Sequence, residues 1–118
     1  MSHLILIRDA RLFMRRPELG EDLADVGRAR GLVQSELVHP DSPADFVLRL
    51  GRMRVTEFLP DGREVTRAVL QAGSCFTTRE EAADAESAYP LDRTTLMALG
   101  DAELWRLPAG TFDDLNIA

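Results

Sequence analysis

No lysine occurs in this chain; all fourteen basic residues are arginine. That excludes a P-loop, which needs a lysine at the phosphates, and a Schiff-base nucleophile. Cysteine is nearly absent as well. Cys75 alone cannot close an internal disulfide, so no oxidising compartment is indicated, and it cannot supply the four thiolates of an iron–sulfur centre. The two histidines, His3 and His39, lie in separate segments. They are too few for a cupin-type metal site, so no metal is expected, and neither has a sequence reason to act as base to Cys75. Long apolar runs are missing too. Leu4 to Ile7 is cut off at Arg8, too short for a signal peptide or a membrane span, and a cytoplasmic protein is the expectation. The net charge of −6 argues against this chain gripping nucleic acid or an anionic membrane by itself.

What is present is one domain's worth of sequence, 118 residues, that changes character near Gly31. Residues 1–30 are charged and read as a helical N-terminal cap. Asp9 to Arg16 can make two turns before Pro17, and Glu18 to Arg30 sets Leu19, Leu23 and Val26 near one face. Residues 31–109 read with period two, as strands. The expected strands are Leu32 to Val38, Phe46 to Gly51, Arg52 to Thr56, a return through Val65 to Leu70, Thr94 to Leu99 and Ala102 to Leu107. Pro60-Asp61-Gly62 is the strongest turn signal, with proline presetting the bend and Gly62 free to take positive φ. Arg49, Arg52 and Arg54 are expected to face outward as a small basic strip or solvated edge. Arg79 to Ala85 has helix propensity. Residues 110–118 read as the start of a C-terminal helix, with Thr111 as N-cap and Phe112 and Leu115 docking back. The fold class is mainly β, an antiparallel β-roll of jelly-roll or cupin type with short flanking helices.

Three pieces in one order then carry a resemblance. They are Phe46 to Val55; Leu59-Pro60-Asp61-Gly62-Arg63-Glu64 followed by Val69-Leu70-Gln71-Ala72-Gly73-Ser74-Cys75-Phe76; and Thr95-Leu96-Met97-Ala98-Leu99-Gly100-Asp101-Ala102-Glu103-Leu104-Trp105-Arg106-Leu107-Pro108. Together they resemble the cyclic nucleotide-binding domain of the Crp/Fnr family of bacterial transcription regulators, over roughly Glu36 to Leu115. The resemblance implies a double-stranded β-roll. In full-length members it is followed by a dimerisation helix and a helix-turn-helix. This chain ends at Ala118, about where that helix would begin, so either an excised sensor domain or a protein without the DNA reader is implied.

The resemblance also implies where a ligand would sit. Members that bind cyclic nucleotides carry Gly-Glu after the phenylalanine that here is Phe76, and later an arginine followed by a small polar residue that clamps the phosphate. The positions that answer to this site are Gly73, Phe76, Thr77, Thr78, Arg93 and Thr94. Thr77-Thr78 stands in place of Gly-Glu: a β-branched residue where close approach of backbone to an anion favours glycine, and no carboxylate for the ribose. Arg93 falls one place late in an ungapped count, with Asp92 at the clamp position. Arg93 either holds an anion or pairs with Asp92 or the acidic run Glu80, Glu81, Asp84, Glu86. A degenerate phosphate cassette is therefore expected. No cofactor is expected; a cyclic nucleotide, and haem held through His39 or Cys75, are the alternatives that the resemblance implies. Cys75 reads as a small buried core thiol, and Trp105 as packing against the roll.

The functional expectation is a non-enzymatic effector-sensing domain of a Crp/Fnr-type regulator. It would take at most a small anionic effector, with no nucleic acid or membrane partner through this chain alone. Two alternatives stand beside it: a stand-alone interaction module working through a partner or as a homodimer, and a cupin-like small-molecule-binding roll.

Overall fold

The computed structural model describes residues 2–8, 27–80 and 88–114. Among them ten strands form two sheets. The strands are β1 (His3–Arg8), β2 (Arg28–Leu32), β3 (Leu37–Val38), β4 (Ala44–Leu50), β5 (Met53–Phe58), β6 (Glu64–Leu70), β7 (Cys75–Arg79), β8 (Ala88–Pro90), β9 (Thr94–Ala98) and β10 (Ala102–Pro108). A 3-10 turn, Leu91–Arg93, precedes β9, and the short helix α1 covers Thr111–Asp114. One sheet has the order β2-β10-β4-β7-β1-β8 and the other β3-β9-β5-β6, antiparallel at every pairing. The mainly β roll expected from the sequence is what forms.

Period two sorts the side chains between two cores. Phe46, Leu48, Phe76, Leu104 and Leu4 point inward and meet Met53, Val55 and Leu96 of the other sheet. Phe46 and Phe76 stack with centroids 4.8 Å apart. The residues between them do not meet solvent as a half-wet sheet would require. Val47, Cys75 and Leu107 form a second cluster on the outer face, closed by Phe112 of α1. Both faces of β4 are covered, which is why its pattern reads almost continuously buried. Fully burying a side chain of this kind contributes roughly 1.5–3 kcal/mol.

The turn at Pro60 is as the sequence implied. Leu59 donates its N–H to Arg63 O and Gly62 to Leu59 O, with Gly62 at φ 89°. A bulge between Val55 and Thr56 gives β6 one extra residue, so Arg67 falls between the partners Thr66 and Ala68. Gly51, at φ 84°, carries the chain from β4 of one sheet to β5 of the other; a Cβ there would stand 2.5 Å from Asp101 O.

Three expectations are corrected. His3–Arg8 is a strand, not part of a helical cap: Leu4-Ile5-Leu6-Ile7 fits a sheet covered on both faces, and it pairs with β7 on one side and β8 on the other. Arg28–Arg30 likewise belongs to β2 rather than to a helix. The single strand Leu32 to Val38 is two strands around a turn. Ser35 takes φ 69°, and the Glu36 carboxylate accepts from Val33 N and from Arg30. The helix expected at 9–16, residues 18–26 of the one expected at 18–30, most of the one expected at 79–85, and Leu115 fall outside the described residues.

Candidate functional site

The positions singled out by resemblance do not form one cluster; they divide between the two faces of the roll. Gly73 turns the chain at φ 97° and donates its N–H to Leu48 O at 2.7 Å. Phe76 is core. Thr77 and Thr78 continue β7, which lies between β4 and β1: Thr77 pairs with Asp45 and Ile5, Thr78 with Ala44 and Leu4. A strand flanked on both sides commits its N–H groups to the ladders.

The two hydroxyls are also engaged. On the outer face Thr77 donates to Asp45 Oδ1 at 2.7 Å, and Asp45 Oδ2 accepts the N–H of Phe112 at 2.9 Å. Asp45 is 2% exposed and is thus the cap of α1. Thr111, expected as that cap, instead donates its hydroxyl to Pro108 O at 2.6 Å. On the inner face the Thr78 hydroxyl accepts from Ala44 N and donates to Ser42 O.

Arg93 and Thr94 come at the start of β9. The alternation that points Leu96 into the core points Thr94 the same way; it is 6% exposed, and its Oγ1 is buried without a hydrogen-bond partner. Arg93 donates Nε–H to Glu57 Oε2 at 2.7 Å. Asp92 is not that partner, and most of the acidic run lies outside the described residues. Glu57 sits on β5 opposite Thr94 and holds a second guanidinium, Arg67, through Oε1 at 2.8 Å. Only 5% exposed, it keeps its charge because two cations face it. The hydrogen bond from Arg67 first, and that from Arg93 as well, outweigh burial and hold the carboxyl below the usual carboxylate range.

Glu57 and Asp45 were missed by sequence reasoning. Glu57 stands in phase with Met53 and Val55, an acidic residue at an inward position, and that phase was a usable signal. Asp45 follows a stretch dense in turn formers and gave no such signal.

The remaining candidates are placed as follows. Cys75 is buried in the outer cluster, and burial, with the nearby Asp45 charge, pushes its thiol up to about 12. Among the described residues Cys75 and His3 lie on the outer face of the sheet, and His39 lies in an exposed loop. No group of three His, Cys, Asp or Glu among the described residues could hold a metal ion. Trp105 packs beside the outer cluster, donates Nε1–H to Glu103 at 2.7 Å and carries the Arg49 guanidinium 4.9 Å from its ring centroid. Arg49, Arg52 and Arg54 lie on β4, in a turn and on β5, so they form no strip. No helix among the described residues is long and apolar enough to cross a membrane.

No protein-family model matches this sequence, and no curated protein does. Solved structures do match the fold. The CO-dependent transcription factor CooA from Carboxydothermus hydrogenoformans superposes with a TM-score of 0.64 at 19% identity, over 92% of this chain and 44% of that one. The catabolite activator protein of Thermus thermophilus gives 0.61 at 20%, over 90% and 51%. A cyclic nucleotide-binding protein, so described, from Ruegeria pomeroyi gives 0.61 at 22%, over 90% and 48%. The chain thus spans about half the length of these proteins, and its fold is the β-roll of Crp/Fnr-type sensor domains.

Proposed function

We propose that this chain is the effector-sensing roll of a Crp/Fnr-type transcription regulator, a cytoplasmic and non-catalytic module, in which the donors that would take a cyclic phosphate are already engaged within the fold. One observation carries the reading: Glu57 stands as an internal anion on Arg93. The commitment of the Thr77 and Thr78 backbone to two ladders supports it from the other sheet. On this reading cAMP and cGMP are not effectors of the wild-type chain. An effector would have to displace the Glu57 carboxylate, or bind beside it and use the unpartnered Thr94 hydroxyl.

The test is a thermal-shift titration with cAMP and cGMP on the wild type and on Glu57→Gln. A ligand that binds only the folded state at a hundred times its Kd stabilises by about 2.7 kcal/mol, which is easily read. No saturable shift is expected for the wild type, and any shift should be confined to the variant, where Arg93 has lost its internal partner. Saturable stabilisation of the wild type by either nucleotide would overturn the reading.

A second reading, an interaction module acting as a homodimer or through a protein partner, is favoured by one surface. The cross-strand row Leu37, Met97, Arg54, Val69 lies on the outer face of the four-stranded sheet, with Leu37 and Val69 exposed. Sedimentation equilibrium of the wild type and Val69→Glu tests it. A monomeric wild type would remove the homodimer from this reading.

A further inference from the structure

The mouth of the roll at the β2–β10 edge presents a second, unassigned set of anion donors. Arg106 of β10 pairs directly with Arg28 of β2 on one side and with the inward Phe46 of β4 on the other. Directly paired residues of antiparallel strands share a face, so both arginines project from the inner face of the six-stranded sheet. Two like charges set opposite each other are ordinarily unfavourable, and no carboxylate among the described residues compensates them. Among the described residues Arg106 donates only to the Ser42 hydroxyl, at 2.5 Å, which in turn donates to Asp41 Oδ1 at 3.4 Å, and Arg28 has no ion pair. A third arginine on the same face, Arg30, is neutralised by Glu36 at 2.7 Å.

The pair does not simply stand in open solvent. Arg28, Arg106, Pro43, Ala44 and Pro108 line a cleft of about 340 Å³. A smaller cleft of about 210 Å³, lined by Arg30, His39 and Asp41 among others, opens on the other side of Arg106. The first cleft lies within the size range of small-molecule sites. Its charge comes from the two guanidiniums, while Asp41 borders only the smaller one. Guanidinium forks match the oxygens of a phosphoryl group in bidentate geometry, and a chain without lysine has no other strong cation to offer. We propose that the Arg28–Arg106 cleft binds the phosphoryl group of a small phosphorylated molecule. This site is on the opposite sheet from Arg93 and is independent of whether the Glu57 clamp is closed.

Pyrophosphate is the probe. Calorimetric titration, at ionic strength held constant with chloride, is done on the wild type, Arg106→Gln, Arg28→Gln and Arg93→Gln. Thermal denaturation of each variant checks that it folds. Saturable one-to-one binding is expected for the wild type, weakened about tenfold or more in each of the first two variants and unchanged in the third. Absence of saturable binding to a folded wild type, or equal weakening in all three variants, would overturn the proposal. Loss in Arg93→Gln alone would place the anion at the clamp and overturn it as well.

Discussion

Two buried carboxylates face opposite ways in this roll, and they do different work. Asp45 lies outside, under α1, and its hydrogen-bond partners are neutral: a threonine hydroxyl and a backbone N–H. Glu57 lies inside, and its partners are two guanidiniums whose side chains are 37% and 49% exposed. Removing Asp45 strands the buried N–H of Phe112 and leaves the Thr77 hydroxyl only the longer contact to Ala44 O, at 3.1 Å. Removing Glu57 leaves cations that can turn outward. Asp45 should therefore matter to stability, and Glu57 to what the interior accepts.

The largest expected effect is from Asp45→Ala. A buried donor left unpaired costs about 1–3 kcal/mol, and the shorter Thr77 hydrogen bond is lost as well, so the loss should be about 2–3 kcal/mol in urea unfolding. Glu57→Gln should cost about 1 kcal/mol or less, as for partly exposed pairs. A reversal of that order would break the comparison. Thr77→Val follows, at about 1–2 kcal/mol, since it strips one of the two donors from Asp45. In a double-mutant cycle with Asp45→Ala the two losses should be clearly less than additive. Additive losses would mean that Thr77 acts on its own and that the outer network is not a unit.

The difference between the two carboxylates bears on what the sequence disclosed. Periodicity marked β4, β5, β6, β9 and β10, because their inward residues recur every second place and their turns carry Pro60 and Gly62 or Gly51. It could not mark β1, a short apolar run that a helix or a strand can bury equally well. It misread Leu32 to Val38, because the break depends on side-chain contacts: Glu36 reaching back to Arg30 and Val33. The candidate site was legible as departures from a pattern. Thr77-Thr78 departs from the Gly-Glu that the resemblance implies, but the contacts that hold the two residues in a central strand, to Asp45 and Ser42, join positions more than thirty residues apart. Arg93 was found and its partner was not, since nothing local links position 93 to position 57.

Cys75 sharpens the outer half of the comparison. Its thiol is pushed from an ordinary 9.0 up to about 12, by burial first and by the Asp45 charge second. A group whose pKa is raised on folding stabilises the fold below its unfolded value, and that contribution fades as pH rises above about 9. At pH 8 the native thiolate fraction is lower than in the unfolded chain by roughly a thousandfold, so iodoacetamide should label Cys75 only on unfolding. Asp45→Asn should raise the native labelling rate by removing the charge. An unchanged rate in that variant would show that burial alone shields the thiol.

The smallest effect belongs to the inner carboxylate, and its sign is fixed. Glu57 is held below its ordinary 4.5, by Arg67 first and also by Arg93, so its contribution is present above that value and fades as pH falls through the lowered one. The difference in stability between wild type and Glu57→Gln should be constant from pH 7 to about 5 and shrink below about 4.5. It should shrink at high salt less than a surface pair would, because the carboxylate itself is buried even though its arginines are not. Urea midpoints of both proteins between pH 3 and 7 measure this. A difference that grows on acidification would mean the carboxyl is protonated more readily in the fold than out of it. Arg93 would then lack its internal anion, and the interior clamp would stand open to a phosphate after all.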